Sequence, residues 1–227
     1  MDLRGLVVDI DGTLTEENGT IGLQASTALR SMKAKGYEVI LASGRGPWDT
    51  FALAMFLGLT KAVVAENGGV IVKSPKDVRL LAEQKESLEA LELLKSKIPE
   101  LKVKNVFPRL TEVVLERTFD IEVGRKTLGS VGMQIVINDS LYGYHLNHAD
   151  TDKGNALKIL AKDMSLDLKG MVAIGDSDLD IPMFNACGYS IALANATPPT
   201  KAASNHVVAR PMADGLLEAL DHIATLE

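Results

Sequence analysis

Apolar and polar positions follow two rhythms along the chain, and the change between them marks its organisation. Leu6, Val7, Val8 and Ile10 form a short apolar run rich in β-branched residues, bounded by Gly12 and Thr13. A run apolar at successive positions predicts a strand buried on both faces, the form taken by a central strand of a parallel sheet. Leu23, Ala28, Leu29 and Met32 then fall at helical spacing, and Gly36 closes that helix. The run at residues 37–42 is a second buried strand, and Pro47 opens a helix carrying Phe51, Leu53, Ala54 and Leu57. A third strand follows at residues 62–65, and the turn at residues 66–69 leads into Val70, Ile71 and Val72. Strands alternating with helices predict βαβ units, a parallel sheet and right-handed crossovers.

Near residue 80 the rhythm changes. Leu88, Leu91, Leu94 and Ile98 predict a helix over residues 83–98, with Pro99 beyond it. Three runs with strand-like alternation follow at residues 112–117, 133–139 and 142–148, with a short helix expected around residues 124–129. Consecutive strands of this kind predict a small antiparallel sheet with helices on one face. The βαβ rhythm returns at Asp152. Lys153 opens a helix bearing Ala156, Leu157, Leu160 and Ala161, and residues 170–175 form a buried strand. A short helix at residues 181–186, a strand at 190–194, a turn at Pro198 and Pro199, a strand at 206–209 and an amphipathic helix with Leu216, Leu217, Leu220 and Ile223 complete the chain. The expected fold class is α/β, a Rossmann-like parallel-sheet core with helices on both faces. Residues 1–80 and 150–227 form that core, and residues 81–149 form an inserted α+β cap.

Composition narrows the setting. The chain has 227 residues, 46% of them hydrophobic, enough for one large α/β domain with an insert. Thirty acidic against 24 basic side chains give a net charge of −6, which speaks against a nucleic-acid or anionic-membrane partner. Cys187 stands alone, so the chain forms no internal disulfide and suits a reducing compartment. No signal peptide precedes the first strand, and no apolar run approaches the roughly 20 residues of a membrane span. A cytoplasmic protein is expected, and oligomeric state is not legible.

In open α/β sheets, ligands gather outside the carboxyl ends of the strands. Four groups lie at or near such ends: Asp9 with Asp11, Ser43, Lys153, and the trio Asp176, Asp178 and Asp180. Each has a plain alternative, since Asp and Ser also serve turns and caps and most lysines are solvated. Yet Asp9 follows an apolar run directly, Lys153 sits where a helix dipole disfavours a cation, and one cap needs only one Asp. If Asp9, Asp11, Asp176 and Asp180 converge, carboxylates about 5 Å apart repel by roughly 3 kcal/mol at an effective dielectric near 20. A hard divalent cation resolves this, and all-oxygen ligands favour Mg²⁺ shared with a substrate phosphate. Mg²⁺ and Lys153 would offset the roughly 8 kcal/mol that a carboxylate meets at a phosphate dianion about 4 Å away. Asp9 could then attack phosphorus, and Asp11 could protonate the leaving alkoxide and later activate water. Thr13 and Ser43 would offer hydroxyls to the phosphate, and the backbone around Ile10 and Gly44 would offer amides. A calcium-loop reading of residues 176–187 fails, because Ile181 and Cys187 stand where that loop needs Gly and Glu. His145 and His148 have no further His or Cys at metal spacing.

These motifs, DIDGT at residues 9–13, LASGR around Ser43, TDKGNAL around Lys153 and GDSDLD at residues 175–180, resemble in order the four motifs of the haloacid dehalogenase-like phosphohydrolases. The insert's position and the ENGG turn resemble the Cof-type branch of that superfamily. A cap this small, with LNHADTDKG leading out of it, looks most like the archaeal phosphoglycolate phosphatases. The resemblance implies Asp9 as nucleophile and metal ligand, and Asp11 as acid/base that also offers its carbonyl to Mg²⁺. It implies Ser43 and Lys153 as phosphate binders, with Asp176 and Asp180 holding the metal directly or through water. Many relatives carry Asn where this chain has Leu179, which leaves the division of labour among Asp176, Asp178 and Asp180 open. The expected activity is phosphate release from a small phosphorylated metabolite, most of all phosphoglycolate. A sugar-phosphate phosphatase, a phosphomutase and an Asp-phosphorylated signalling module are the alternatives. For substrate selection the candidates are Arg109, Arg117, Arg125, Asn147 and His148.

Overall fold

A computed structural model describes residues 3–140 and 142–226. Its main layer is an eight-stranded sheet. The strands are β1 (Gly5–Val8), β2 (Glu38–Ala42), β3 (Val63–Ala65), β4 (Val70–Ser74), β5 (Asp77–Leu80), β9 (Met171–Gly175), β10 (Tyr189–Ala192) and β11 (His206–Val207). They lie in the order β11-β10-β9-β1-β2-β3-β4-β5, with β1 in the middle, paired in parallel to both β2 and β9.

The continuous apolar run of β1 is explained by what covers it. Leu6 and Val8 face a core built with helices α1 (Leu23–Ala34), α2 (Pro47–Leu57) and α8 (Met212–Ile223). Val7 faces the other way, onto α5 (Lys153–Met164) and α6 (Ile181–Ala186). Side chains alternate across a strand, so a strand with helices on both sides has no polar position to spare.

Five local expectations are corrected. The sheet is not parallel throughout, because β4 runs antiparallel to both β3 and β5. The edge strand β5 escapes sequence reading because Asp77, Arg79 and Leu80 are exposed and show no buried face. In α1, Leu23 is 81% exposed and Ala25 and Ser26 supply the buried contacts. In the helix after residue 80, now α3 (Gln84–Lys95), Leu88 is 45% exposed, and Ile98 is buried beyond the helix end. Pro198 and Pro199 open a helix, α7 (Pro198–Ala203), where fixed φ and missing N–H groups do no harm, and Thr197 caps it.

A second, antiparallel sheet is built by β6 (Val113–Leu115), β7 (Ile135–Asp139) and β8 (Tyr144–His148), in the order β6-β8-β7. The helices α3 and α4 (Ile121–Ser130) pack on one of its faces, where Ala90, Leu91, Leu94, Leu128, Ile137 and Leu146 form a separate core. Phe119 meets Tyr144 edge to face at 5.2 Å in this core. Alternation along β8 sends His145 and Asn147 to the opposite face, and both are buried there. Among the described residues no helix is long and apolar enough to cross a membrane.

Candidate active site

Asp9 and Asp176 follow the adjacent strands β1 and β9, and the Asp9 N–H still donates to Ile174 O at 3.0 Å. Beyond Asp9 the chain turns at once, with Leu14 N–H returning to Ile10 O at 2.8 Å. Gly12 makes that turn at φ +79°, and a Cβ there would fall 2.3 Å from Asp176 Oδ2. Both the conformation and the space therefore require glycine.

Lys153 is the first residue of α5, whose N-terminus Asp152 caps by accepting from Asn155 N–H at 2.7 Å. The buried ammonium reaches Asp9 Oδ1 at 2.7 Å and Asp180 Oδ1 at 2.6 Å. Two carboxylates thus answer the objection that a helix start disfavours a cation. Asp180 Oδ2 is held by the N–H groups of Asp176 and Ser177 at 3.0 and 2.9 Å.

Asp9, Asp176 and Asp180 each place an oxygen within 4.8 Å of the others. Burial pushes the Asp9 carboxyl well above its usual range, against Lys153 and with help from Asp180 and Asp176. Burial, then the charge of Asp180, pushes Asp176 up to about 7, opposed by the Thr13 hydroxyl. Burial works against the Lys153 ammonium, but Asp180 and Asp9 outweigh it and raise its pKa. One ammonium among three carboxylates leaves negative charge uncompensated, and an all-oxygen donor set of this kind fits a hard divalent cation.

Other expected site residues stand around the carboxylate cluster and not in it, Asp11 and Gly44 on the cavity surface. The Asp11 carboxylate does not join the cluster; Arg45 forks it, Nε at 2.8 Å and Nη2 at 2.6 Å. The strand ends at Val8, so the two-residue alternation that would align Asp11 with Asp9 does not reach it. Thr13 does not offer its hydroxyl to the cavity but donates to Asp176 Oδ1 at 2.9 Å. Ser43 is fully buried after β2 and accepts from Arg45 N–H at 3.1 Å, keeping its own hydroxyl proton to give. Gly44 lines the cavity beside it. Asp178 accepts from the Thr197 hydroxyl and from Thr200 Oγ1 at 3.0 Å, so it fastens α7 and stays out of the cluster.

Asn195 is a residue that sequence reasoning missed. Its Nδ2 donates to Gly12 O and to Asp176 Oδ2, both at 2.9 Å, and its Oδ1 accepts from Met212 N–H at 2.9 Å. It follows β10 and so obeys the strand-end rule, the one signal that could have found it.

Asp9, Asp11, Lys153 and Asp176 floor a cavity of about 470 Å³, with Arg45, Asp49 and Asn67 on its wall and residues 105–109, Ser140, Tyr142 and His145 above. The roof is tied to the core by Glu66, fully buried at φ +50°, which accepts from the N–H groups of Leu110 and Thr111 at 2.8 Å and from Thr111 Oγ1 at 2.6 Å. Arg109 Nη1 donates to Gly44 O at 2.9 Å from the same segment. On the buried polar face of the small sheet, Glu112 Oε2 accepts from Asn147 Nδ2 at 2.7 Å and meets His145 Nδ1 at 2.9 Å. Of the candidates for substrate selection, Arg109 lines the cavity. Arg117 pairs with Asp139, Arg125 with Glu122, His148 with Glu86, and Asn147 is taken by Glu112.

Comparison with known proteins agrees with this geometry. The chain matches the haloacid dehalogenase-like hydrolase family over residues 6–130 and 122–220. It is 41% identical over 227 residues to a phosphoglycolate phosphatase of Nitrosopumilus maritimus, covering 100% of this chain and 98% of that one. It is 35% identical to a phosphoglycolate phosphatase of Archaeoglobus fulgidus, with 98% of each chain covered. Among solved structures, protein 0175 of Thermoplasma acidophilum superposes with a TM-score of 0.88 at 27% identity, covering 98% of each chain. A haloacid dehalogenase-like hydrolase of Bacteroides thetaiotaomicron shares the fold with a TM-score of 0.79 at 19% identity, covering 97% of this chain and 99% of that one.

Proposed function

Since the chain belongs to the haloacid dehalogenase-like hydrolases, we propose that it is a Mg²⁺-dependent phosphatase that cleaves phosphoglycolate to glycolate and phosphate through an aspartyl-phosphate on Asp9. The observation that carries this reading is the buried Lys153 ammonium bridging Asp9 and Asp180 beside Asp176, beneath a roofed cavity. Residues 81–149 act as the cap over that cavity.

Asp9 is the nucleophile. Burial alone would protonate it, and Lys153 at 2.7 Å holds it toward the ionised form that attacks. Asp9, Asp176 and Asp180 would hold Mg²⁺, together with the main-chain carbonyl of Asp11. The cation supplies charge compensation for the phosphate and for the transferring phosphoryl group. Thr13 and Asn195 are positioning residues, fixing Asp176 from either side. Lys153, the Ser43 hydroxyl and the Gly44 amide bind the phosphate oxygens. Asp11 gives its proton to the leaving alkoxide and takes one from the incoming water, for which it must part from Arg45.

The net charge of −6 speaks against a nucleic-acid or anionic-membrane partner, and the lone Cys187 suits a cytoplasmic setting. A roof that keeps water from a bound molecule suits turnover, which favours an enzyme over a signalling module that merely stores phosphate on Asp9. The test is phosphate release from phosphoglycolate with and without Mg²⁺. Release that depends on Mg²⁺ supports the reading. Absence of inorganic phosphate from phosphoglycolate at saturating Mg²⁺ overturns it, and transfer of the group to another sugar hydroxyl would identify a phosphomutase instead.

A further inference from the structure

Buried polar atoms without partners are rare, and each asks for an explanation. Among the described residues, five side-chain atoms are in this state: Asp49 Oδ1, Asn67 Oδ1 and Nδ2, Arg109 Nε and Glu112 Oε1. None belongs to the carboxylate cluster. Asp49, Asn67 and Arg109 line the cavity, and Glu112 Oε1 lies 3.3 Å from Arg109 Nη1. Gly44 is the common neighbour of Asn67 and Arg109: its carbonyl takes Arg109 Nη1, and a Cβ on it would sit 2.9 Å from Asn67 Oδ1. Asn67 itself is held at φ +52°, a conformation Asn tolerates better than most side chains.

The unmatched atoms thus collect around Asn67 and Arg109 at the cavity wall, and in no other part of the described chain. Two of them are donors, an amide and a guanidinium N–H, and donors beside a guanidinium suit an anion with two oxygens. The loose acceptors do not oppose this. Glu112 already faces the charge of Arg109, and Asp49 lies within the field of both Arg109 and Arg45. Resting on the reading of the chain as a phosphatase of a small phosphorylated acid, we propose that Asn67 and Arg109 are its specificity-determining residues, binding the substrate carboxylate while the floor binds the phosphate. Glu112 acts through Arg109 as a positioning residue.

The test compares phosphoglycolate with 2-hydroxyethyl phosphate, an ester of similar size in which CH₂OH replaces the carboxylate. The variants are Asn67→Asp, which keeps the shape and sets an anion against the carboxylate, and Arg109→Lys, which keeps the charge and loses the planar fork. Each is checked by thermal melting before kinetics. The expected result is that kcat/KM for phosphoglycolate falls by roughly tenfold or more beyond any fall for the glycol ester, with the change carried by KM. Folded variants that keep the wild-type ratio within about threefold overturn the assignment of these residues and leave the phosphatase reading standing. Wild-type protein that prefers the glycol ester, or a sugar phosphate, overturns the carboxylate subsite and the phosphoglycolate reading together.

Discussion

The floor and the wall of the cavity follow opposite rules. On the floor, every carboxylate of the cluster has donors fixed to it: Lys153 on Asp9 and Asp180, backbone amides on Asp180, Thr13 and Asn195 on Asp176. On the wall, Asn67, Arg109, Asp49 and Glu112 keep loose ends. The floor stands on the ends of paired central strands, where a shift of one side chain disturbs several others. The wall is carried by loops and by the small sheet, and it meets the floor at Gly44. A group that reacts the same way with every substrate belongs on the first, and a group that chooses among substrates belongs on the second.

Asp9→Asn tests the contrast most severely. It is expected to lower kcat by roughly a thousandfold or more while the protein still folds, and retention of activity within about tenfold would remove Asp9 from its role. Lys153→Ala comes next, since it leaves Asp9 and Asp180 buried without their shared cation. Denaturant unfolding should show a loss of about 3 to 5 kcal/mol in metal-free protein, because breaking a buried pair from one side strands the other charge. A loss below about 1 kcal/mol would mean the floor is less tightly coupled than its distances suggest.

A smaller effect is expected from pH. Asp9 is pushed up and Asp176 reaches about 7, so between the ordinary carboxylate range and pH 7 the folded metal-free protein binds more protons than the unfolded chain. Its stability should therefore fall as pH rises through that window, and Mg²⁺ should flatten the decline by binding the ionised form. Melting temperatures from pH 4.5 to 7.5, with and without Mg²⁺, check the slope, and a metal-free protein that grows more stable over that range would contradict it. The smallest effect belongs to Asn195→Ala. It should cost about 1 to 2 kcal/mol and raise the Mg²⁺ concentration for half-maximal activity several-fold, as expected for a residue that orients a ligand without touching the metal.

The same contrast explains what sequence could and could not reveal. Asp9 is conspicuous because it directly follows an apolar run, Asp176 because three Asp stand where one cap needs one, and Lys153 because a helix start is the wrong place for a cation. Their meeting across the sheet follows from the parallel order that the strand and helix rhythm already implied. Asn67, Glu66 and Asn195 sit in turns, where polar residues are ordinary and have no apolar background to stand out from. Side-chain direction was the other gap. Asp11 and Thr13 lie past the last residue of β1, so the two-residue period ceases to govern them, and one pairs with Arg45 while the other braces Asp176. The edge strand β5 has no buried face, and a pattern-based reading had nothing there to detect.

The chain leaves the small sheet at His148 and begins α5 at Lys153, so only residues 149–152 separate the two. At full stretch a trans backbone gains about 3.5 Å per residue, which sets this tether at no more than roughly 17 Å. Whatever body is built above the sheet must hand the chain back within that radius of the first residue of α5. The seam at this helix start thus fixes where any replacement superstructure could be spliced, while its size and shape on the far side are free to vary.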